Sequence, residues 1–439
     1  MATGIEDLAK ELLYAIFDYL DDQSLASLSL VSRTFHRPAL ETVIIRLGGN
    51  SNMEKRASFH DSPSALLRAV RSALFIQSLQ YVSVSIFTKG RMIFLAELAQ
   101  LFNRMTHIGC VCIHLSGSIG PMEDDFMLKM TQSTLASLAG KNCATLILDG
   151  WNIPDSKSKS IVLEGGTVFC SNSAKPSHAD NALPIISTLT QLDLTDCHIL
   201  ASPILRWIID SANQSRITKC FISPFSGYTI NSTLGLPYLT RLSIYSLDIE
   251  VDKLLPFLSR HPAFGHLSLT LSAVRETTLD RSVPLPIFPH LESLAISPNI
   301  LPHILQIDIS PQMLKSVTLC PNMSSTSEKR IDEAPWYQAM EDALTCSAER
   351  KGIQRLVFSF PSHELVKAWL TSDRRNVERL MTFVTTISIG THHYDGFGAG
   401  MEPILAKWLS LFPALEHVEV GHNMLETKAG SFGLRNVPN

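Results

Sequence analysis

Apolar residues near the start of the chain repeat at intervals of three and four residues, which is typical of an amphipathic α-helix. This stripe consists of Leu8, Leu12, Leu13, Ile16, Phe17 and Leu20. Asp21 and Asp22 interrupt it, and Asp22 is expected to cap a second helix through its side chain. A third helix is expected to begin near Pro38 and to end before Gly48. The pattern therefore predicts three short helices within residues 5–47.

These helices carry more large apolar side chains than so small a unit can bury by itself, because a short segment has little interior. Two explanations are open. The helices are either a cap that packs on the domain that follows, or a module whose surplus apolar surface is covered by a partner protein. Periodicity alone favours neither explanation over the other.

The same segment resembles an F-box. The resemblance rests on Leu8-Ala9-Lys10-Glu11-Leu12-Leu13, Ile16-Phe17, Tyr19-Leu20, Leu25, Leu28, Leu30-Val31-Ser32-Arg33, Phe35 and Arg37. Its most specific part is the Leu-Val-Ser-Arg-x-Phe segment. Ala9 stands where F-boxes usually have a proline.

The resemblance implies a three-helix domain that docks onto the Skp-type adaptor of a cullin–RING ubiquitin ligase and that catalyses nothing itself. A docking role would account for the surplus of apolar surface. The residues expected to contact the adaptor are Leu8, Leu12, Ile16, Phe17, Leu20, Leu25, Leu28, Val31 and Phe35.

A second pattern, apolar-x-x-apolar-x-apolar, recurs after residue 75. Clear copies begin at Leu189, Leu239, Phe264, Leu291, Leu314 and Leu415, and weaker copies begin at Leu79, Ile108, Cys143, Ile217, Ile353 and Val384. Many of the spacings lie in or near the range of leucine-rich repeats, and amphipathic helical stretches separate the copies. The pattern predicts an irregular leucine-rich-repeat solenoid, α/β in class, with parallel strands inside and helices outside. A compact α/β domain with a doubly wound sheet is the competing interpretation.

The chain is therefore expected to have three regions. These are a helical domain at residues 5–47, a linker at 48–75 and a solenoid at 76–430. Residues 152–182 are rich in Ser, Asn, Lys and Gly, and we expect them to be an insertion that lengthens one coil.

Composition narrows the classes of partner. The formal net charge is -4, which gives no electrostatic reason to expect nucleic acid or an anionic membrane as a partner. The cysteines form no CxxC pair, so we expect a reduced protein of the cytoplasm or nucleus. Acidic residues interrupt the first apolar stretch, which argues against a signal peptide. No apolar run is long enough to span a membrane.

The sequence shows no pattern that is typical of catalysis. Residues 390–400, GTHHYDGFGAG, lack the spacing of a phosphate-binding loop, and the two adjacent histidines have no evident third metal ligand. We therefore predict a protein without enzymatic activity, cofactor or metal. An unrecognised enzyme that uses residues 152–182 as a lid is an alternative with little support.

Recognition is then expected on the strand faces. Residues at positions three, five and seven of each repeat should line a concave sheet. Candidate client-binding residues are Lys219, Phe221, Arg241, Tyr245, His266 and Arg355, because aromatic and arginine side chains often anchor interfaces. Lys219, Arg241 and His266 share position three of successive repeats, which suggests an acidic or phosphorylated client segment. Solvated strand residues of no special role are the alternative for each of them.

The leading hypothesis is a substrate-recognition subunit of a cullin–RING ubiquitin ligase, with an unknown protein client. The alternative is a protein-binding repeat scaffold whose F-box-like cap never joins a ligase. Co-purification with the adaptor separates the two hypotheses.

Overall fold

The structure is a computed structural model. The chain divides into two compact units, residues 1–217 and 218–439. The insertion predicted at residues 152–182 and the predicted end of the solenoid at residue 430 lie outside the described residues. The residues that the structure describes are 8–49, 53, 55–60, 64–86, 91–115, 124–150, 183–195, 202–223, 234–246, 257–271, 288–305, 313–320, 333–350, 352–360, 367, 369–371, 381–391, 401–420 and 423–426.

Three helices open the first unit, as predicted. They are α1 (Lys10–Phe17), α2 (Asp22–Val31) and α3 (Arg33–Arg46). The cap of α2 is Asp21 and not Asp22, because the Asp21 carboxylate accepts a hydrogen bond from the Ser24 N–H at 2.6 Å. Asp22 is instead the first residue of the helix, where a negative charge is favourable.

Helix α3 begins earlier than predicted, and Pro38 lies inside it. The side chain of Ser32 caps the helix by accepting a hydrogen bond from the Thr34 N–H at 3.2 Å. Pro38 lacks the N–H of a helical residue, so the helix loses one hydrogen bond there. The hydroxyl cap Ser32, six residues before Pro38, was therefore a better marker of the helix start than the proline.

In its described residues, the first unit continues with five strands and four helices. The strands are β1 (Arg56–His60), β2 (Ser78–Ile86), β3 (His107–Leu115), β4 (Thr145–Asp149) and β5 (Gln191–Thr195). The helices are α4 (Ser64–Ser72), α5 (Arg91–Arg104), α6 (Asp124–Ala136) and α7 (Ser202–Gln214). Each strand from β1 to β4 pairs in parallel with the strand that follows it in the chain.

The second unit repeats this arrangement. Its strands are β6 (Lys219–Ser223), β7 (Arg241–Ser246), β8 (His266–Leu271), β9 (Ser293–Ile296), β10 (Ser316–Leu319), β11 (Arg355–Phe360), β12 (Thr386–Thr391), β13 (His417–Val420) and β14 (Asn423–Glu426). Its helices are α8 (Leu301–Leu305), α9 (Glu333–Ala348) and α10 (Met401–Leu409). Strands β6 to β13 pair in parallel in chain order, and β14 pairs antiparallel with β13.

In both units the strand order follows the chain order, which is the arrangement of an α/β solenoid. A doubly wound sheet would reverse its strand order at a switch point, and neither unit does so. All twelve sequence templates coincide with strands, β2 to β13. The fold class predicted from the repeat pattern is therefore confirmed.

The range predicted as a linker, residues 48–75, contains regular secondary structure that the sequence analysis did not predict. Strand β1 and helix α4 lie within it, and β1 pairs with β2 along its whole length. Ala57 and Phe59 of β1 are buried, in the alternation of a strand with one covered face. The template missed this strand because an alanine and a phenylalanine occupy the places that leucine and isoleucine fill elsewhere.

The core lies on one face of the strands. Leu192 and Leu194 of β5, which fill template positions four and six, are 2% and 5% exposed. Leu294 and Ile296 of β9 are completely buried. Asp193 and Ala295, which lie between these buried residues on β5 and β9, are half-buried, so the other face of these two strands is partly open to solvent. This alternation is what places polar side chains on an accessible surface.

The N-terminal helices are attached to the strands of the first unit through His36. Its Nε2 accepts a hydrogen bond from the Leu74 N–H at 3.2 Å, in the turn before β2. The proton therefore sits on Nδ1, which donates to the Ser29 carbonyl at 3.0 Å. The ring also packs edge-on against Phe75. On this side, the helical domain therefore packs on the domain that follows it, as the first of the two explanations expected.

Candidate functional site

Helix α1 carries two adjacent apolar stripes, one buried and one exposed to solvent. Leu13 and Phe17 are 4% and 2% exposed, and the Phe17 ring meets the Phe35 ring edge-on at 6.3 Å. Leu12 and Ile16, each one residue earlier, are 55% and 38% exposed. The inner stripe therefore holds the three helices together, while the outer stripe faces solvent.

The nine predicted adaptor contacts are divided by the structure into three groups. Leu8, Leu12, Ile16 and Val31 are exposed, and Leu20 and Leu28 are half-buried. Phe17, Leu25 and Phe35 are buried in the core of the helices. These last three side chains cannot reach a partner while the domain is folded, so we correct their expected role from contact to support.

Two exposed side chains were missing from the prediction. Tyr19 is 92% exposed and Leu30 is 83% exposed. Both fall within the segment that resembles an F-box, but neither lies on the buried stripe, so periodicity gave no reason to choose them. We define the apolar surface of α1 and α2 as the exposed residues Leu8, Leu12, Ile16, Tyr19, Leu30 and Val31.

A groove of ≈ 520 Å³ lies along α2 and the turn that precedes it. It is open to solvent and has room for side chains of a partner. The residues that line it are Leu20, Asp21, Gln23, Ser24, Ser27, Leu28 and Val31. Hydrogen bonds from Ser24 lower the pKa of Asp21, so this carboxylate stays ionised as a helix cap and is not suited to act as an acid.

Arg46, at the end of α3, stabilises the wall of this groove. Its guanidinium donates to the Phe17 carbonyl at 2.8 Å and to the Leu20 carbonyl at 2.5 Å, and it lies 3.3 Å from the Asp22 carboxylate. A cation is favourable beside the carbonyl of Phe17, the last residue of α1, because the carbonyl end of a helix carries partial negative charge. The turn between α1 and α2 is therefore held in place without the exposed apolar side chains.

A second network joins α1 to α3. Tyr14 donates a hydrogen bond to the Glu41 carboxylate, which also accepts one from Arg37 at 2.6 Å. Burial, together with the bond to Glu41, raises the pKa of Tyr14 to about 12. Burial also tends to raise the pKa of Glu41, but its two hydrogen bonds outweigh this and lower the pKa. The network is structural, since it fixes α1 in the orientation that exposes Leu12 and Ile16.

The second candidate surface is the solvent-facing side of β6, β7 and β8. Lys219 pairs in register with Arg241, and Arg241 pairs with His266. All three residues are exposed. The structure therefore brings together the three basic residues that the repeat pattern placed at one position.

The other three predicted client contacts do not join this group. Arg355 of β11 forms an ion pair with Glu419 at 2.7 Å, so its charge is neutralised within the unit. Phe221 is half-buried and pairs in register with Ser243. The backbone of Tyr245 pairs with Thr270, and its side chain lies outside the described part of the structure.

Two of the described cysteines, Cys110 and Cys143, are poorly suited to nucleophilic catalysis. Burial raises the pKa of Cys110 to about 11 and that of Cys143 to about 12. A thiol needs its thiolate form to attack, and these pKa values keep it protonated at neutral pH. Nearby, Nδ1 of His114 on β3 is hydrogen-bonded to the carboxylate of Asp149 on β4, across the two strands. This pair occupies the histidine with a structural contact.

Among the described residues, no group of three or more His, Cys, Asp or Glu side chains is arranged to hold a metal ion. The glycine-rich stretch singled out in the sequence lies outside the described residues from residue 392 onward. Within the same described ranges, no helix has the length and apolar character to cross a membrane.

Comparison with known proteins identifies the helical domain. Residues 5–46 match the model of the F-box-like family, so α1 to α3 form an F-box-like domain. No curated protein matches the chain. F-box domains in general bind Skp-type adaptors, and the whole apolar surface of α1 and α2 falls inside the matched residues.

Proposed function

We propose that this chain is the substrate-recognition subunit of a cullin–RING ubiquitin ligase. In this proposal, the F-box-like domain binds a Skp-type adaptor and the strand face of the repeats binds a protein client. The observation that supports the proposal is the apolar surface of α1 and α2, which is left to solvent although it lies in the domain matched to the family. Covering it would contribute roughly 25 cal/mol per Å² of apolar area.

The packing of the helices suits this role. The core residues Phe17, Leu25 and Phe35 and the guanidinium of Arg46 hold the domain together, so the exposed residues are free to bind. On its other side, His36 ties the domain to the turn before β2. An adaptor bound to α1 and α2 would thereby carry the first repeats with it.

The chain itself would contribute binding and no catalysis. Ubiquitin transfer would belong to other subunits, as the family resemblance implies. The client would be a protein, because a long exposed strand face suits an extended contact better than a buried small molecule.

The alternative is a repeat scaffold that does not join a ligase, and Ala9 in place of the usual proline would favour it if it altered the start of α1. Ala9 has a φ of −56°, which is within the range that proline imposes. The backbone therefore already holds the conformation that a proline would set. The substitution thus gives little support to the scaffold.

The proposal is tested by co-expression of the full chain with a Skp-type adaptor. We expect the adaptor to co-purify with the wild type and to be lost when Leu12→Asp and Val31→Asp are combined, because both charges fall on the apolar surface. Ile93→Asp is the matched control, since Ile93 is an exposed apolar residue on α5. Retention of the adaptor by the folded double variant would refute the docking surface.

A second arm separates the ligase from the scaffold. When a cullin is added to the purified complex, a substrate-recognition subunit should be recovered with it through the adaptor. If the chain binds the adaptor but the cullin is not recovered with the complex, the result supports the repeat scaffold and contradicts the ligase subunit.

A further inference from the structure

Three basic side chains lie side by side on the exposed face of the second unit. Lys219 of β6, Arg241 of β7 and His266 of β8 occupy one register level, and we call them the basic row. Neighbouring strands are about 4.8 Å apart, so the row extends over roughly 10 Å. All three residues are exposed to solvent.

Such a row works against the stability of the fold. Like charges directly opposite each other on neighbouring strands destabilise a sheet. Among the residues that the structure describes, no carboxylate lies within ion-pair distance of the three basic groups. Nothing in the described part of the unit therefore offsets the repulsion between Lys219 and Arg241.

Two other basic residues of the same unit are paired with carboxylates. Arg355 lies 2.7 Å from Glu419, and Lys315 lies 3.7 Å from Glu292. Among the described residues of this unit, carboxylates thus lie next to Arg355 and Lys315, and none is paired with the basic row. An external anion would supply the missing charge.

The geometry distinguishes between kinds of anion. A single phosphate is best held by donors that converge on one point, whereas the basic row spreads its charges over three strands. Several carboxylates in series match such a spread. The register neighbours one step further along the same face are Phe221, Ser243 and Ser268, which add a half-buried ring and two hydroxyls without any opposing charge.

We propose that the basic row binds an acidic segment of a protein, with successive carboxylates of the segment facing Lys219, Arg241 and His266. Calling that protein the client rests on the proposed function. The binding itself does not depend on the adaptor.

The test uses the full chain and a fluorescein-labelled dodecapeptide of alternating glutamate and serine. Its neutral counterpart has glutamine at each glutamate. We expect the acidic peptide to bind, and to bind less tightly as salt is added, because exposed charges are screened. Arg241→Gln should weaken binding about tenfold, the loss of one charge-assisted contact. It should not lower the thermal unfolding temperature, because it removes a repulsive charge.

Lys315→Gln is the matched control, since it removes one positive charge from the same unit at a residue that is already paired. We expect it to change binding by less than about twofold. An equal loss in this variant, or equal binding of the neutral peptide, would overturn the proposal.

Two further probes decide the class of anion. A peptide with one phosphoserine and no other charge, or an oligothymidylate of matched charge, would overturn the proposal if it bound more tightly than the acidic peptide. Adaptor co-purification is measured on the same preparations. If the acidic peptide does not bind but the adaptor still co-purifies, the proposal for the basic row is refuted and the proposed function is not. If the adaptor does not co-purify but the acidic peptide binds, the proposed function fails and the proposal for the basic row remains supported.

Discussion

The N-terminal helices and the repeat strands contain similar apolar residues but use them in opposite ways. Of the large apolar side chains that are exposed in the described part of the chain, seven lie between Leu8 and Ile45 and none lies within a strand. The described strands bury apolar side chains on one face, whereas α1 and α2 bury one set of apolar side chains and leave a second set exposed. An apolar residue is therefore usually buried in the repeat strands, whereas in the N-terminal helices it can also be exposed and able to contact a partner.

The helices can leave apolar groups exposed because other contacts stabilise them. Leu13, Phe17 and Leu25 fill the small core, and Arg46 satisfies the carbonyls at the end of α1. Removing an outer residue such as Leu12 should therefore affect binding and leave the fold intact. Removing a strand leucine should do the reverse.

The largest expected effect comes from making one chemical change in both regions. Leu294→Asp forces a charge between the buried rows of β8 and β10, and we expect it to lower the free energy of unfolding by about 4 kcal/mol. Leu12→Asp should change it by less than about 0.5 kcal/mol, because Leu12 is already in water. Urea denaturation of the two variants measures the difference.

Ser293→Asp provides the control for the strand variant. Ser293 is next to Leu294 but lies half-buried on the other face, so the same new charge should be tolerated there. Similar losses in Leu294→Asp and Ser293→Asp would mean that the two faces of β9 are not distinct, and the assignment of the core would be wrong.

A smaller effect is expected from pH, at a buried histidine of the second unit. Nε2 of His261 accepts a hydrogen bond from the Leu236 N–H at 2.9 Å, and Nδ1 lies 2.7 Å from the Phe257 carbonyl. A protonated ring would set one N–H against another. Burial, with a smaller contribution from Arg260, lowers the pKa of His261 in the folded state.

The sign of the pH effect follows from this lowered pKa. Below about pH 6.5, the ordinary histidine pKa, the unfolded chain binds a proton that the folded chain resists, so stability should fall as the pH drops further. We expect urea midpoints at pH 7.5 and 5.5 to differ less in His261→Gln than in the wild type. A pH response that is unchanged in His261→Gln would contradict the assignment.

The smallest expected effect sharpens the helical side of the comparison. Ala9→Pro fits the φ of −56° at this position and reduces the freedom of the unfolded chain, so it should raise the free energy of unfolding by about 0.4–1 kcal/mol. Ala9→Gly should lower it. A destabilised proline variant, measured by thermal denaturation, would show that the start of α1 differs from the geometry described.

Much of the repeat fold was predictable from the sequence, because a strand with one buried face has a period of two and each repeat reuses one template. The template found β2 to β13. It missed β1, where Ala57 and Phe59 take the buried positions, and β14, which pairs antiparallel with β13. Neither strand contains the leucine spacing on which the prediction depended.

The candidate site was less predictable. The apolar stripe of α1 is wide enough to include both Phe17, which is buried, and Ile16, which is not, and periodicity does not say which line of a wide stripe faces the core. The contacts of Arg46 go to carbonyl groups, which leave no mark in a pattern of side chains. The alignment of Lys219 with Arg241 was predictable, because register follows from the repeat.

Hydrogen–deuterium exchange of the full chain, with and without a purified Skp-type adaptor, tests the central claim most directly. We predict slower exchange in residues 8–31 when the adaptor binds, and unchanged exchange in β6 to β8, because the first region is the proposed docking surface and the second is the proposed client surface. Protection in β6 to β8 with none in residues 8–31 would contradict the division of roles between helices and strands.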